Sequence, residues 1–365
     1  MKIFFKIITI ALLAFLVLPL WGENSITAKM ELYNSIGRIG ADNWYSTGIG
    51  IASIIINQKD NKNVKSQIKL SAVMPDPTGT DPAYFDISRA YVKFRFPKIR
   101  AVIGKAPFSW GEGLVFNAGD VIFGSSALNT NLMQSEFLDT ATWLTTLYYP
   151  LGDFSYLETI VISPDVMSDD IGITMGGGRV VTKLGNTKLE SGYIYEGLKD
   201  AHKPYISLQG NLYLDWHLSA TAALPTGNGL TDSFKESLAI TAGIYSLARI
   251  GYDGILNYRL EAMVKPYEKW NEYSAGSESE VYGIYLYPEL SYSFNSGMVL
   301  MLRGFVSPVD LSAVAIPGFS WNVFQGFNLI GFAAFYIGDP DDTYAWEPET
   351  GSGGFSLLAG VSVTY

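Results

Sequence analysis

Residues 355–365 read FSLLAGVSVTY and decide the fold. Successive side chains of a β-strand point to opposite faces of its sheet, so this stretch has one apolar face and one small or polar face. The apolar face carries Phe355, Leu357, Ala359, Val361, Val363 and Tyr365, and the other face carries Ser356, Gly360, Ser362 and Thr364. Such a strand turns its apolar face to a protein core or to lipid, and the rest of the chain decides between them.

Segments with the same two-residue period precede this stretch along the whole chain. They run approximately over 26–34, 44–56, 65–74, 84–96, 99–106, 139–149, 153–163, 171–183, 187–197, 204–214, 217–225, 236–247, 251–264, 281–293, 298–307, 311–323 and 326–337. Segments of about ten alternating residues are typical of transmembrane β-barrels. We therefore predict an all-β, antiparallel, up-and-down barrel of about 18 strands, with sixteen as the alternative count.

The connections between these segments alternate in length. Short turns at 97–98, 150–152 and 184–186 alternate with longer connections, of which 75–83 and 107–138 are examples. Outer-membrane barrels have short periplasmic turns and longer external loops, which favours this fold over a soluble β-sandwich. The alternation also predicts an even strand number and both termini on the periplasmic side.

The N-terminal residues predict a secretory signal peptide. Lys2 and Lys6 precede an apolar run over 7–20, and Pro19 and Gly22 follow near its end. A basic region, an apolar region and a helix-breaking end are typical of such peptides, whereas an N-terminal membrane anchor is the alternative. We predict a signal peptide over 1–24 and a barrel over 25–365.

Composition excludes several function classes. Charged residues are 16% of the chain, against about 25% in soluble domains. The formal net charge is −10, so the global field does not favour nucleic acid. Because the chain has no cysteine, it forms no disulfide and no thiolate metal site, and we expect no cofactor and no bound metal.

The connection over 107–138 is the longest stretch without a strand period. It carries Phe108 and Trp110 and few charges, which argues against disorder. A loop of this length usually carries function, so we predict that it folds into the lumen and narrows it.

Strand parity predicts which charges face the lumen. An Arg or Lys on the lipid face near the midplane costs about 2–4 kcal/mol, so charged residues in strands are expected to point inward. The predicted pore-lining set is Arg89, Lys93, Arg95, Arg100, Lys105, Trp110, Glu112, Asp120, Arg259, Glu261 and Arg303. Loop carboxylates Glu112 and Asp120 opposite the cations would create a transverse field that selects solutes, although the same charges could serve only to hold the loop against the wall.

Catalysis and metal binding have weak support in the sequence. Asp215 and His217 form the one acid/base pair worth testing, and they lie at a short turn where we expect a solvated histidine. Asp339 and Glu347 belong to an acidic external loop that could hold calcium, but a solvated loop is the favoured interpretation. We predict that the chain is not an enzyme.

One local pattern resembles known outer-membrane proteins. The motif comprises residues 88–92 (SRAYV), 102–105 (VIGK) and 110–113 (WGEG), followed by Asn117 and Asp120. It is similar to alginate-export and capsule-surface type barrels, and its position after the fifth strand resembles the constriction loop of general bacterial porins. The pattern departs from those families at 105–106 and 117–119.

The end of the last strand adds a second resemblance. A final aromatic residue, here Tyr365, resembles the signal that the barrel-assembly machinery recognises in bacterial outer-membrane proteins. Together the patterns predict an outer-membrane channel for passive diffusion of small hydrophilic solutes through a charged constriction. A surface adhesin or structural barrel and a hydrophobic-solute transporter are the alternatives. The expected partners are outer-membrane lipid, the assembly machinery and solutes, with no nucleic acid, and a homo-oligomer is compatible with the pattern.

Overall fold

A computed structural model gives the architecture of the chain. It describes residues 24–39, 43–58, 62–75, 82–122, 141–163, 174–227, 229–267, 283–294, 297–338, 342–344 and 354–365. Residues 1–23 of the predicted signal peptide and residues 123–138 of the predicted lumenal loop lie outside these residues, as do Asp339 and Glu347, whereas Asn24 is the first residue of a strand. No helix among the described residues is long and apolar enough to cross a membrane.

Nineteen strands and one short helix make up the described chain. They are β1 (Asn24–Ile39), β2 (Asn43–Gln58), β3 (Val64–Met74), β4 (Tyr84–Arg95), β5 (Arg100–Pro107), β6 (Ala141–Pro150), β7 (Tyr156–Ile162), β8 (Met175–Leu184), β9 (Thr187–Glu196), β10 (Ala201–Asn211), β11 (Asp215–Thr221), β12 (Leu224–Pro225), α1 (Leu230–Ser237), β13 (Ala239–Ile250), β14 (Gly254–Lys265), β15 (Gly283–Phe294), β16 (Met298–Ser307), β17 (Ser312–Phe324), β18 (Phe327–Ile337) and β19 (Phe355–Thr364).

The strands form one closed antiparallel sheet. Each long strand pairs with its neighbours in chain order, and β1 pairs with both β2 and β19. The two-residue β12 pairs with β10 beyond the end of β11, so β11 and β12 occupy one place in the barrel. The prediction of an all-β barrel of about 18 strands is confirmed, with β12 as one extra short strand.

Strand boundaries differ from the predicted ones mainly near the long connections. The segment predicted over 217–225 is interrupted after Thr221, where the hydroxyl of Ser237 at the end of α1 donates to the carbonyl of Ala223 at 2.7 Å. The pattern did not predict α1. β1 extends beyond its predicted end because pairing with β2 continues to Ile39.

Pairing register separates the two faces of the barrel wall. Residues that oppose each other across an antiparallel pair share a face. Glu31 of β1 opposes Ser362 of β19, and both are buried inside the barrel, whereas Leu357 and Val363 on the other face are exposed. This is the split that the sequence of β19 predicts, with polar side chains inside and apolar side chains outside. The lumen is therefore lined by the polar set.

We predict unequal losses of stability for an arginine at two adjacent positions of β16. Leu302 points outward and is 52% exposed, whereas Met301 lines an interior cavity. Leu302→Arg should lower the free energy of unfolding by about 2–4 kcal/mol, because it places a charge on the lipid face of a strand centre. Met301→Arg should lower the free energy of unfolding much less, because residue 301 faces the interior. Urea unfolding in lipid vesicles measures both, and equal losses would contradict the assigned faces.

Candidate functional site

The candidate site is a chain segment that crosses the interior of the barrel. We call residues 108–122 the lumenal segment; it follows β5 directly. Trp110, its first anchor, is fully buried and packs with Leu144 of β6, Ile160 of β7 and Tyr205 of β10. Its ring centroid lies 5.6 Å from that of Tyr205. The segment is thereby fixed to the wall formed by β6–β10.

Phe116 is the second anchor and lies on a different side of the barrel. It is fully buried among Tyr287 of β15, Phe305 of β16 and Ile316 of β17. The rings of Phe116 and Phe305 meet edge to face, with centroids 6.4 Å apart. Because the two anchors pack on separate walls, the five residues between them span the interior.

One carboxylate holds the backbone between the anchors. Glu261 of β14 accepts hydrogen bonds from the backbone N–H groups of Leu114, Val115 and Phe116 at 2.8, 2.9 and 2.9 Å. The side chain is buried, and its residue is only 1% exposed. Charge-assisted bonds of this kind are shorter and stronger than neutral ones. Glu261 therefore compensates three donors, two of them buried and the Leu114 N–H partly buried, that have no partner in regular secondary structure.

A second buried carboxylate lies beneath the Trp110 anchor. Glu190 of β9 accepts the backbone N–H of Gly111 at 3.2 Å and the Tyr205 hydroxyl at 2.5 Å. Arg179 of β8 donates to Glu190 and to Glu158 of β7, each at 2.7 Å. The Arg179 guanidinium also lies 5.3 Å from the Trp110 ring centroid. This network joins the four strands β7–β10 to the start of the lumenal segment.

The loop carboxylates have partners that differ from the predicted ones. The sequence placed Glu112 opposite the cations of β4, but its carboxylate forms an ion pair with Lys188 of β9. Glu112 lies beside β9 because the N–H of the preceding residue, Gly111, donates to Glu190. Lys188 is two residues before Glu190 and lies on the same face of β9. Asp120 accepts the Ser109 hydroxyl at 3.1 Å, within the segment itself.

The Trp-Gly motif shapes the turn that brings the segment inward. Gly111 has φ of 74°, a conformation that favours glycine. A Cβ atom there would lie 2.2 Å from Oδ1 of Asn117. Asn117 in turn donates through Nδ2 to the Trp110 carbonyl at 2.8 Å. These residues therefore act on the shape of the backbone.

The predicted cations Arg89, Lys93 and Arg95 of β4 and Arg100 of β5 share one face of the wall, whereas Lys105 is paired with Ala90, at the alternate parity. Lys93 lies opposite Lys65 of β3, and Arg95 lies opposite Arg100 of β5. Arg89 opposes Lys69 of β3. Contacts of these side chains include Arg89 with Gln67 at 3.3 Å, Lys93 over the Tyr91 ring at 5.0 Å, Arg100 over the Tyr148 ring at 5.1 Å and Lys105 with Asp86 at 3.3 Å. We call Lys65, Lys69, Arg89, Lys93, Arg95 and Arg100 the basic wall.

The remaining predicted residues lie on the wall around the second anchor. Arg259 contacts Glu261 at 3.7 Å and the Tyr245 ring at 5.1 Å. Arg303 of β16 is 2% exposed and lies 4.8 Å from the Phe332 ring centroid. The segment therefore lies between the predicted charges Arg259 and Glu261 and charges that were not predicted, such as Arg179 and Glu190.

Arg179, Glu158, Lys188 and Glu190 were missed by sequence reasoning. The parity argument used for Arg89 applies equally to β7–β9, so the signal was present. His217 lies within β11, where it is paired with Gly243 of β13, and its side chain is half-buried. The expectation of a solvated turn histidine is therefore wrong. Among the described residues, no group of three or more His, Asp or Glu side chains could hold a metal ion.

A second inward contact comes from the connection between β18 and β19. Tyr344 is 2% exposed and packs against Phe305 and Tyr285. Asp310, in the connection after β16, accepts the Thr343 N–H at 2.6 Å. Burial opposes ionisation of Asp310, but hydrogen bonds from Ser307 and from residues 312 and 343 lower its pKa below the ordinary value. The sequence contains no pattern that predicts this contact.

Solved structures share the fold. OccAB4 from Acinetobacter baumannii matches with a TM-score of 0.58 at 13% identity, over 95% of this chain and 99% of that one. OpdL from Pseudomonas aeruginosa matches with 0.60 at 12% identity, over 94% and 99%. Wzi from Escherichia coli, an outer-membrane protein involved in group 1 capsule assembly and a carbohydrate-binding β-barrel, matches with 0.60 at 12% identity, over 92% and 84%. The chain therefore shares the β-barrel fold of these structures. No protein-family model and no curated protein matches the chain.

We predict that Glu261→Ala frees the lumenal segment from β14. The change leaves the N–H groups of Leu114, Val115 and Phe116 without their acceptor, at a cost of about 1–3 kcal/mol for each of the two buried ones, Val115 and Phe116. Single-channel conductance in a planar bilayer should rise and become noisier.

The control is Asp215→Ala, which also removes an inward carboxylate but one whose hydrogen bond is with Asn211. Equal conductance changes in the two variants would show that charge alone matters and that the segment does not depend on Glu261.

Proposed function

We propose that this protein is an outer-membrane channel for the passive diffusion of small hydrophilic solutes. The observation that supports it best is the lumenal segment, whose anchors Trp110 and Phe116 pack on separate walls. A closed barrel of this strand number has a water-filled interior unless something fills it. A segment that crosses this interior reduces its width, so it would set the size of the solutes that pass.

The basic wall supplies the electrostatic part of the proposal. Its six cations lie on the inner face of β3–β5, strands in which Asp86 is the one carboxylate, and Lys93, Arg95 and Arg100 are exposed. A row of like charges along a pore wall attracts ions of the opposite sign. The constriction would therefore be asymmetric, with the lumenal segment and its ion pairs on one side and the basic wall on the other.

The proposed orientation follows from connection length. Short turns such as 185–186 and 325–326 lie at one end of the barrel, which we call the short-turn end, and this end would face the periplasm. Tyr365 lies at the same end, where its N–H donates to the Ala28 carbonyl of β1 at 2.8 Å. It would serve as the residue that the assembly machinery recognises.

Reconstitution tests the channel directly. Purified protein in a planar bilayer should give stepwise ion conductance, and liposomes containing it should swell in small sugars more slowly as sugar size rises. A protein that inserts, folds and passes neither ions nor sugars would overturn the proposal in favour of a closed adhesin or structural barrel.

Neutralising the basic wall should reduce anion preference. Lys93→Gln combined with Arg95→Gln removes two exposed inward charges, so the reversal potential in a KCl gradient should shift towards the cation value. Lys199→Gln, in the exposed turn after β9, is the matched control and should leave the reversal potential unchanged. No shift in the double variant would show that the wall does not contribute to ion selection.

A further inference from the structure

A second feature of the lumen is a cavity below the Phe116 anchor, towards the short-turn end. It has a volume of about 350 Å³ and is lined by side chains of β1, β16, β17, β18 and β19. Phe332 belongs both to its lining and to the cluster that buries Phe116. Ligand sites for small molecules begin at about 300 Å³, so this cavity is large enough for one small solute.

The lining combines an apolar side with groups that both donate and accept hydrogen bonds. Met301, Ile330 and the rings of Tyr33 and Phe332 supply the apolar side. Hydroxyl and amide groups supply the polar side; these are Ser320, Asn328, Ser362 and Thr364. Hydroxyls and amides match ligand hydroxyl groups in either direction, and an aromatic face covers the C–H face of a sugar ring.

The charges around the cavity are balanced by neighbours of opposite sign. Lys29 contacts Glu31 at 2.7 Å, and the Tyr33 hydroxyl donates to the same carboxylate at 2.7 Å. Arg303 lies directly opposite Glu289 across the pair of β15 and β16. A site with paired charges does not favour a net ionic ligand, because binding it would add an unpaired charge to a partly desolvated space.

From these observations we infer that the cavity is a binding site for a neutral, polyhydroxylated solute of monosaccharide size. The inference rests on the proposed channel, since it assigns that channel a solute class. Such a site is expected to bind weakly, because conduction requires that a solute can also leave. The site lies next to the lumenal segment, so a solute bound there would occupy the path just beyond the constriction.

The test is glucose binding to the detergent-solubilised full chain, measured by equilibrium dialysis with labelled glucose. Asn328→Leu should weaken binding at least tenfold, because it removes a polar group of the lining. Asn57→Leu is the matched control: each asparagine accepts one amide hydrogen bond from the adjacent strand, from Asn322 and Gln67 respectively. Met301→Trp, which fills the cavity without removing a polar group, should also abolish binding.

Each outcome has a defined meaning. Saturable glucose binding that Asn328→Leu and Met301→Trp weaken, and that Asn57→Leu does not, supports the site. Binding that survives both cavity variants, or competition by succinate or lysine as strong as by unlabelled glucose, overturns it. Ion conductance without glucose binding overturns the site and leaves the channel intact. Glucose binding without any conductance overturns the channel and leaves the site.

Discussion

The arrangement inside the barrel depends on one interaction, the acceptance of three consecutive backbone N–H groups by the Glu261 carboxylate. A chain that leaves the sheet and enters the lumen takes its backbone donors away from both bulk water and strand partners, and buried donors without acceptors are costly. Glu261 meets that requirement for the middle of the lumenal segment, as Glu190 does at Gly111. The aromatic anchors fix the position of the segment in the lumen, and the two carboxylates accept the hydrogen bonds of backbone donors that have left the sheet.

The barrel and the segment impose opposite demands on the same wall. Lipid requires an apolar exterior, so the alternating strands leave their polar side chains for the interior. That interior can then hold Glu261, Arg179 and Glu190, which a soluble core of this size would accommodate only at high cost. The lumen also contains two apolar clusters, and the segment contributes a fully buried ring to each of them, Trp110 to one and Phe116 to the other.

Most of the fold was predictable because the constraint is local. The lipid face repeats every second residue, so strands such as β16 were located to the residue, and Arg303 was assigned inward from its place between outward Leu302 and Gly304. Side-chain partners were less predictable because they depend on the path of the loop. Glu112 pairs with Lys188, not with β4, and no sequence spacing records a contact between residues so far apart. The insertion of Tyr344 and the formation of α1 were also not predicted, because no local sequence pattern records them.

The most direct test of the central claim uses the absence of native cysteine in the chain. Ala118 donates its N–H to the Thr241 hydroxyl of β13 at 3.1 Å, so these two positions are neighbours and we expect cysteines there to bridge. Under mild oxidation, Ala118→Cys with Thr241→Cys should form a disulfide in the folded barrel, and single-channel conductance should be the same before and after reduction. Ala118→Cys with Ser53→Cys, on the inward face of β2, should not bridge. Two free, reactive thiols in the first pair, or a bridge in the second, would contradict a lumenal segment held against β13 and β14.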